Sequence, residues 1–343
     1  MNLPKLAKAI SRAALAVAVT LAIVPSANAQ AQAPIVIKFS YVIPPDTPKG
    51  RGVEKFKELA EARTKGRVKV EVYPNSQLYK DKEELEALQL GSVQMLAPSL
   101  AKFGPLGVRE FEVFDLPYIF KDEAAFRAVI DGPVGAGLLK KLEPKGIKGL
   151  AYWDNGLHVF SANRPLHTPA DFKGLKMRIQ SSKVLDAQIR ALGALPQVMA
   201  TSELYQGLQS GVVDGAEGDI SNFYAQKLFE VQKDMTLTYH GHIAYAVIVN
   251  KKFWDGLPPD IRSILEGCMK DATTYVDGIA ASENASALEK IKATGKTVIY
   301  TPTAQDTEAI KRAVLPVHKE MEDRIGKATI DAVYQAAGFV APK

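Results

Sequence analysis

One arginine has the chemistry and the position to bind an anion. Residues 174–182 read GLKMRIQSS, in which alternating apolar side chains predict a short strand, and Arg178 lies on its polar face. A guanidinium offers two parallel N–H donors and keeps its charge, so it can hold a carboxylate in a fixed geometry. On the strand pattern alone, a surface arginine and a carboxylate anchor are both open interpretations.

Other side chains could serve acid–base or metal chemistry. Asp214, Glu217 and Asp219 lie close together, which suits proton transfer but is more typical of turns and helix caps. His240 and His242 are two apart in a strand-like run, yet no third ligand lies at a supporting spacing, so we expect no metal site. No HExxH, GxSxG or P-loop motif occurs. These patterns favour a binding protein over an enzyme. If the protein were an enzyme, the three acidic residues would act as its general acid and base.

The elements that carry these residues alternate along the chain. A strand at 35–42 is followed by helices and strands in a βαβ order, which predicts an α/β protein with mainly parallel strands. Two strands separated by a turn near Gly156 are predicted between 147 and 166, and GPVGAG (132–137) is predicted to be a loop. A helical pattern from Pro259 to Thr294 would span roughly 50 Å, more than one lobe.

The first 29 residues have the pattern of a cleaved signal peptide. Lys5, Lys8 and Arg12 precede an apolar run at 13–24 that is short for a membrane span, and ANA at 27–29 supplies a cleavage site. We therefore expect export to the periplasm. The first 29 residues contain these three cations and no acid, so their removal lowers the formal net charge from +5 to +2. A nearly balanced charge argues against nucleic acid as a partner.

Seven runs, taken in order, cover essentially the whole mature chain. They are FSYVIPPDTPKG, EVYPNSQL, APSLAKFG, WDNGLHVFSANRPL, GLKMRIQSS, MATSELYQGLQSGVVDGAEGDISNFYAQKLFEVQK and GHIAYAVIVNKKFWDGLP. Together they closely resemble the solute-binding proteins of tripartite ATP-independent periplasmic (TRAP) transporters, in particular the DctP type that captures C4-dicarboxylates.

The resemblance implies an α/β protein with two lobes around a hinged ligand cleft, braced by a long helix. Lobe I would comprise residues 30–155 and about 244–283, and lobe II about 156–243 and 284–343. It also implies a receptor without enzymatic activity, cofactor or metal, which captures an organic acid and delivers it to a TRAP permease driven by an ion gradient. We expect a monomer. A binding protein that reports to a membrane sensor kinase is an alternative that the chain itself does not separate from transport.

The resemblance also assigns site residues. The arginine of the family's LKxR strand, here Arg178, would hold the ligand carboxylate. Gly218 stands where the family's DGxEN has a ligand-contacting asparagine and is followed by Asp219, Thr201 replaces a frequent aromatic, and His158 replaces a frequent lysine or arginine. The second end of the ligand is therefore open: a succinate-like, hydroxy, sugar or aromatic acid would fit. Further candidate residues of the pocket or its rim are Tyr41, Asn75, Ser99, Asn155 and Tyr239.

Overall fold

A computed structural model describes residues 33–341; the predicted signal peptide lies outside this range. Within it the chain forms ten strands: β1 (Ile35–Ser40), β2 (Val68–Tyr73), β3 (Met95–Leu96), β4 (Ile147–Ala162), β5 (Lys176–Ile179), β6 (Leu195–Val198), β7 (Gly215–Asp219), β8 (Asp234–Thr236), β9 (His242–Asn250) and β10 (Val298–Tyr300).

The same range contains fourteen α-helices: α1 (Pro48–Arg63), α2 (Glu84–Gln89), α3 (Glu123–Ile130), α4 (Pro133–Lys140), α5 (Pro169–Phe172), α6 (Lys183–Ala191), α7 (Leu204–Gln209), α8 (Ile220–Ala225), α9 (Lys251–Asp255), α10 (Pro259–Thr294), α11 (Ala304–Val314), α12 (Val317–Glu320), α13 (Glu322–Ile325) and α14 (Lys327–Ala337). None of these helices combines the length and the apolar character that a membrane span requires.

The strands follow the order β2-β1-β3-β9-β4-β7-β5-β6, with β8 on β4 and β10 on β8. Strand β1 is parallel to β2 and β3, and β5 is parallel to β6 and β7. Strands β4 and β9, the two longest, run antiparallel to each other and to their other neighbours. The α/β class is thus confirmed, whereas the expectation of mainly parallel strands is wrong for the centre of the sheet.

Strand β4 is shared by the two halves of the sheet. Its residues Ile147–Leu157 pair with β9, and its residues His158–Ala162 pair with β7. The register shifts between Asp154 and Gly156, and Gly156 has a φ of +120°, so the predicted turn is a bulge within one continuous strand. We call β1–β3, β9 and the first part of β4 the first lobe, and the second part of β4 with β5–β8 and β10 the second lobe.

Helix α10 contacts both lobes. It packs on α1 and β4 and also on α8 of the second lobe. The helix begins with Pro259 in its first turn and ends before Gly295, which has a φ of +62°, as expected for a proline start and a glycine stop. Its bounds are those predicted from the sequence. The prediction of a loop at 132–137 is wrong, because Pro133 opens helix α4.

Of the helices that follow α11, α12 contacts α6 of the second lobe, whereas α14 packs elsewhere. Helix α14 contacts α3 and α4, and Val317, Met321, Ile330 and Val333 share an apolar core with residues of α3 and α4. The sequence prediction had assigned residues 284–343 as a whole to lobe II. That assignment and the other predicted lobe boundaries stay predictions.

Candidate functional site

A pocket is lined by side chains of both lobes. Its empty volume is about 620 Å³, which includes space that is open to solvent. We call it the interlobe pocket. Its polar lining residues include Lys49, Asp81, Ser99, Lys102 and Tyr245 of the first lobe and its loops, and Arg178, Gln180, Thr201, Glu217, Asp219 and Asn222 of the second.

Arg178 enters this pocket from β5. Its side chain lies on the face of the strand opposite the apolar core, and the residue is only 5% exposed. The guanidinium Nε donates to the carbonyl of Met199 at 3.0 Å, and Nη2 donates to Thr201 Oγ1 at 3.1 Å. Burial lowers the pKa of Arg178, yet arginine stays charged in proteins. The two contacts orient the guanidinium and leave its other N–H donors for an anion.

Asp81 connects the first lobe to the second across the pocket. One carboxylate oxygen accepts from the backbone N–H of Thr201 at 2.9 Å, and the other lies 2.7 Å from Lys102 Nζ. Lys102 also contacts Glu84 at 2.6 Å. Burial opposes ionisation of Asp81, but Lys102 and Arg178 outweigh it and lower its pKa. Lys102 is therefore a buried cation whose charge is already compensated.

Lys49 is a second buried lysine of the pocket, and it has different partners. It lies in the first turn of α1, where its Nζ donates to the carbonyl of Ala97 at 3.1 Å. The same nitrogen lies 3.7 Å from the ring centroid of Tyr245. The ion pairs formed within 4.0 Å among residues 33–341 do not include Lys49. Burial, together with the charge of Lys102, lowers the pKa of Lys49 to about 7.

Asp219 is the N-cap of helix α8. Its Oδ1 accepts from the backbone N–H of Asn222 at 2.8 Å and from the hydroxyl of Ser221 at 2.7 Å, and its Oδ2 accepts from the Asn222 amide at 2.6 Å. Burial raises the pKa of Asp219, and these hydrogen bonds oppose that shift. Asn222 also donates to the hydroxyl of Tyr245 at 3.0 Å. Gly218 lines the pocket and has open space where a Cβ would point.

A buried cluster of His158, Glu217 and His240 lies beside the pocket. Their potential ligand atoms are within 4.8 Å of one another, and two imidazoles with a carboxylate are a donor set that a transition-metal ion accepts. His158 Nδ1, however, contacts the Glu217 carboxylate directly. Burial opposes protonation of His158, but Glu217 outweighs it and raises its pKa. The protonated His158 is therefore the cationic partner of the Glu217 carboxylate.

The two histidines singled out by their spacing do not come together. Burial and the nearby His158 lower the pKa of His240 well below its usual value, and its Nδ1 lies 2.7 Å from Thr238 Oγ1. His242 Nδ1 instead lies 3.4 Å from Asp154. The cluster that does form was missed because its members are up to 82 positions apart, from 158 to 240, on three separate segments.

The remaining sequence predictions differ in their relation to the pocket. Ser99 lines it, as do Thr201 and the two residues of the altered DGxEN motif. Asn155 and Tyr41 are fully buried outside its lining. Asn75 is exposed in a turn with a φ of +56°, and Tyr239 is 41% exposed and lines a separate cavity. These last four side chains therefore lie outside the lining of the pocket, and their contact with a ligand stays a prediction.

The pocket also contains residues that the sequence prediction missed: Lys49, Asp81, Lys102, Asn222 and Tyr245. Lys49 had a usable signal, because a cation in the first turn of a helix opposes the helix dipole and needs another reason to be there. Lys102 had no such sequence signal, because its burial depends on Asp81 and Glu84, which lie on another segment of the chain.

This arrangement can bind and enclose a small organic anion. Arg178 reaches the pocket from the second lobe and Lys49 from the first, so an anion with two charged ends can contact both lobes. Apolar side chains such as Val42, Ile43 and Phe223 complete the lining and lower the local dielectric, which strengthens charge-assisted hydrogen bonds. A ligand that contacts both lobes favours the closed conformation over the open one.

Two α/β lobes that share β4, a long helix that contacts both, and an enclosed pocket with cations from each lobe define a solute-binding protein. The sequence profile described as "Bacterial extracellular solute-binding protein, family 7" (DctP) matches residues 39–324. The chain belongs to this family, which confirms the resemblance and the two-lobed fold.

Curated relatives and solved structures agree with this membership. The C4-dicarboxylate-binding periplasmic protein DctP of Rhodobacter capsulatus is 63% identical over 303 residues, which cover 88% of this chain and 91% of that protein. A TRAP periplasmic solute-binding protein from Shewanella oneidensis, with bound succinate, has a TM-score of 0.87 and 40% identity and covers 89% of this chain and 100% of its own. One from Pseudomonas aeruginosa PAO1, with bound L-malate, has a TM-score of 0.82 and 43% identity, covering 84% and 100%.

Proposed function

We propose that the protein is an extracytoplasmic receptor that binds a C4-dicarboxylate in the interlobe pocket and delivers it to a TRAP permease for uptake driven by an ion gradient. The observation that carries this proposal is Arg178, which is buried at the pocket with part of its guanidinium uncommitted. A buried arginine of this kind is suited to bind one carboxylate through two parallel hydrogen bonds.

The four-carbon length of the ligand is supported by the relatives. The Rhodobacter capsulatus protein is named for C4-dicarboxylates, and the two structures contain succinate and L-malate. All three are at least 40% identical to this chain. In this pocket Thr201 is already engaged by Arg178 and Asp81, so its small side chain does not by itself require a bulkier ligand.

The predicted signal peptide supports a location in the periplasm, where such a receptor would meet the permease. We propose that the chain acts there as a monomer and without a cofactor. Binding without turnover is part of the proposal, because Asp219 is committed to the cap of α8 and Glu217 to His158. These two acids are thereby tied to structural partners.

A thermal-shift screen tests the proposal. The mature protein would be heated with C4-dicarboxylates, monocarboxylates, sugar acids and aromatic acids, followed by calorimetric titration of the hits. Succinate, malate or fumarate should stabilise the protein by about 2.7 kcal/mol at a hundredfold excess over Kd, with one-to-one stoichiometry. Stabilisation by a sugar or aromatic acid alone, or conversion of a bound acid into product, would overturn the proposal.

A further inference from the structure

The two buried lysines of the interlobe pocket have unequal partners. Lys102 has carboxylate oxygens at 2.7 Å and 2.6 Å, from Asp81 and Glu84. Lys49 has one hydrogen bond, to the carbonyl of Ala97, and the face of the Tyr245 ring. An ammonium group has three N–H donors, so the nitrogen of Lys49 keeps donor capacity beside the space where the ligand would lie. Lys102 has fewer N–H donors left for a ligand, because two carboxylates already contact its nitrogen.

The surroundings of Lys49 make its positive charge energetically unfavourable. Burial is the main cause, and the neighbouring Lys102 adds to it, so that its pKa falls to about 7. The groups that favour the charged form are Glu84, Asp81 and Asp219, which lie on α2, the loop before it and the β7–α8 junction. None of the three is an ion-pair partner of Lys49. Its position in the first turn of α1 also disfavours a cation, because the helix dipole is positive there.

The aromatic groups next to Lys49 do not supply a counter-charge at neutral pH. Burial raises the pKa of Tyr245, and that of Tyr41, whose ring centroid lies 5.9 Å from the Lys49 nitrogen. Both phenols are therefore neutral, and they stabilise the cation only through their ring faces. A carboxylate brought by the ligand would be the missing anion.

We propose that Lys49 holds the second carboxylate of the ligand and takes up a proton from solvent when the ligand binds. The inference rests on the proposed function, since it requires a dicarboxylate with one end on Arg178. The balance is one neutral lysine amine, one proton and one dianion in, and one ammonium–dicarboxylate complex out. The protein would thus bind a proton together with its solute whenever the medium is neutral or alkaline.

The expected pH dependence follows from the fraction of free protein in which Lys49 is already protonated. A lowered lysine pKa means that the free protein loses this proton as the pH rises through about 7. If the ligand binds only the protonated form, the apparent Kd rises by about tenfold between pH 6 and pH 8. From pH 7 to pH 8, where succinate is almost entirely a dianion, proton uptake should increase from about 0.5 to about 0.9 protons per ligand.

Calorimetric titration with succinate, in phosphate and in Tris at each pH, measures the protons taken up, because the two buffers release them with different heats. Lys49→Arg keeps a charge that cannot titrate, and Lys49→Met removes the charge. Both variants should bind succinate without uptake at pH 8, and Lys49→Met should lose most of the preference for succinate over butyrate. Lys57→Met, half-buried on the same helix, is the matched control and should keep the uptake of the unmodified protein.

The outcomes separate this inference from the proposed function. Binding of succinate with no proton uptake at pH 8 would overturn the inference alone. Unchanged uptake in both Lys49 variants would also overturn it, and would point to other buried groups such as Asp115, whose pKa burial raises to about 7. Failure of the unmodified protein to bind succinate, malate or fumarate at any pH would overturn the proposed function and the inference with it.

Discussion

At the residue scale, Arg178 is already held in place by its own chain. The carbonyl of Met199 and the hydroxyl of Thr201 accept two of its five N–H bonds, which fixes the plane of the guanidinium. A ligand carboxylate therefore meets an oriented partner and costs less side-chain entropy than it would with a free arginine.

Replacement of Arg178 by lysine should weaken ligand binding strongly. A lysine keeps the charge but cannot reach Met199, Thr201 and the ligand with one nitrogen. We therefore expect the loss of a charge-assisted hydrogen bond, about 1.5–3 kcal/mol or about 10- to 150-fold in the Kd for succinate. Calorimetric titration measures this. Arg190→Lys, an exposed arginine paired with Asp186, should bind like the unmodified protein; equal Kd values for the two variants would contradict the assigned role.

The site was only partly predictable from single residues. Strand alternation, combined with the family resemblance, was enough to single out Arg178, because the alternation and the LKxR motif both lie within nine consecutive residues. The partners that set its environment are long-range: Asp81 is 97 positions away, and Lys49 is farther still. Asn75 and Tyr239 were chosen because they are polar and lie near predicted strand ends. No local sequence signal there indicates whether the side chain faces the pocket.

At the element scale, the bulge in β4 links the sheet to the long helix. Asn284 of α10 donates to the carbonyl of Asn155 at 2.7 Å and accepts from the backbone N–H of Ser221 at 3.0 Å. Gly156 lies against this amide with a positive φ. The bulge, α8 and α10 therefore meet at one hydrogen-bonded point, next to the residues at which β4 changes partners.

Gly156→Ala should destabilise the protein more than an ordinary glycine replacement. A Cβ there would lie 2.6 Å from Asn284 Nδ2, and the backbone has a φ of +120°, so strain and clash together should cost about 2–4 kcal/mol. Gly174→Ala is the matched control: its φ is +76° with no heavy atom within 4 Å, and backbone strain alone should cost about 1 kcal/mol. Urea unfolding monitored by circular dichroism compares them; similar losses would show that the contact with Asn284 is unimportant.

Elements with strong local signals were predicted better than their pairing. The bounds of α10 followed from its long helical pattern, and the α/β class followed from the alternation of strands and helices. The antiparallel course of β4 and β9 was not predictable in this way, because it depends on which distant strands meet. A loop was predicted at 132–137 because this run follows a helix rather than a strand, although Pro133 marks the first turn of α4.

At the scale of the whole molecule, contacts across the mouth of the interlobe pocket oppose its opening. Lys80, next to Asp81, lies 2.9 Å from Glu203, and Asp81 accepts from Thr201 two residues before Glu203. The first-lobe loop that carries Lys80 and Asp81 therefore makes two contacts with the second-lobe turn that carries Thr201 and Glu203. The buried contact is the stronger of the two, because an exposed ion pair contributes at most about 1 kcal/mol.

Charge reversal at this mouth should speed ligand release. Glu203→Lys would place two cations opposite each other, so we expect a threefold to tenfold faster dissociation of succinate. The added cation would also attract a dianion and raise the association rate, which is why the dissociation rate, from stopped-flow competition, is the quantity to measure. High salt should reduce the difference, since both groups are exposed. Glu320→Lys, which reverses a charge at an exposed pair with Arg190, should leave dissociation unchanged; an equal acceleration would mean that the effect arises from net charge and not from lobe closure.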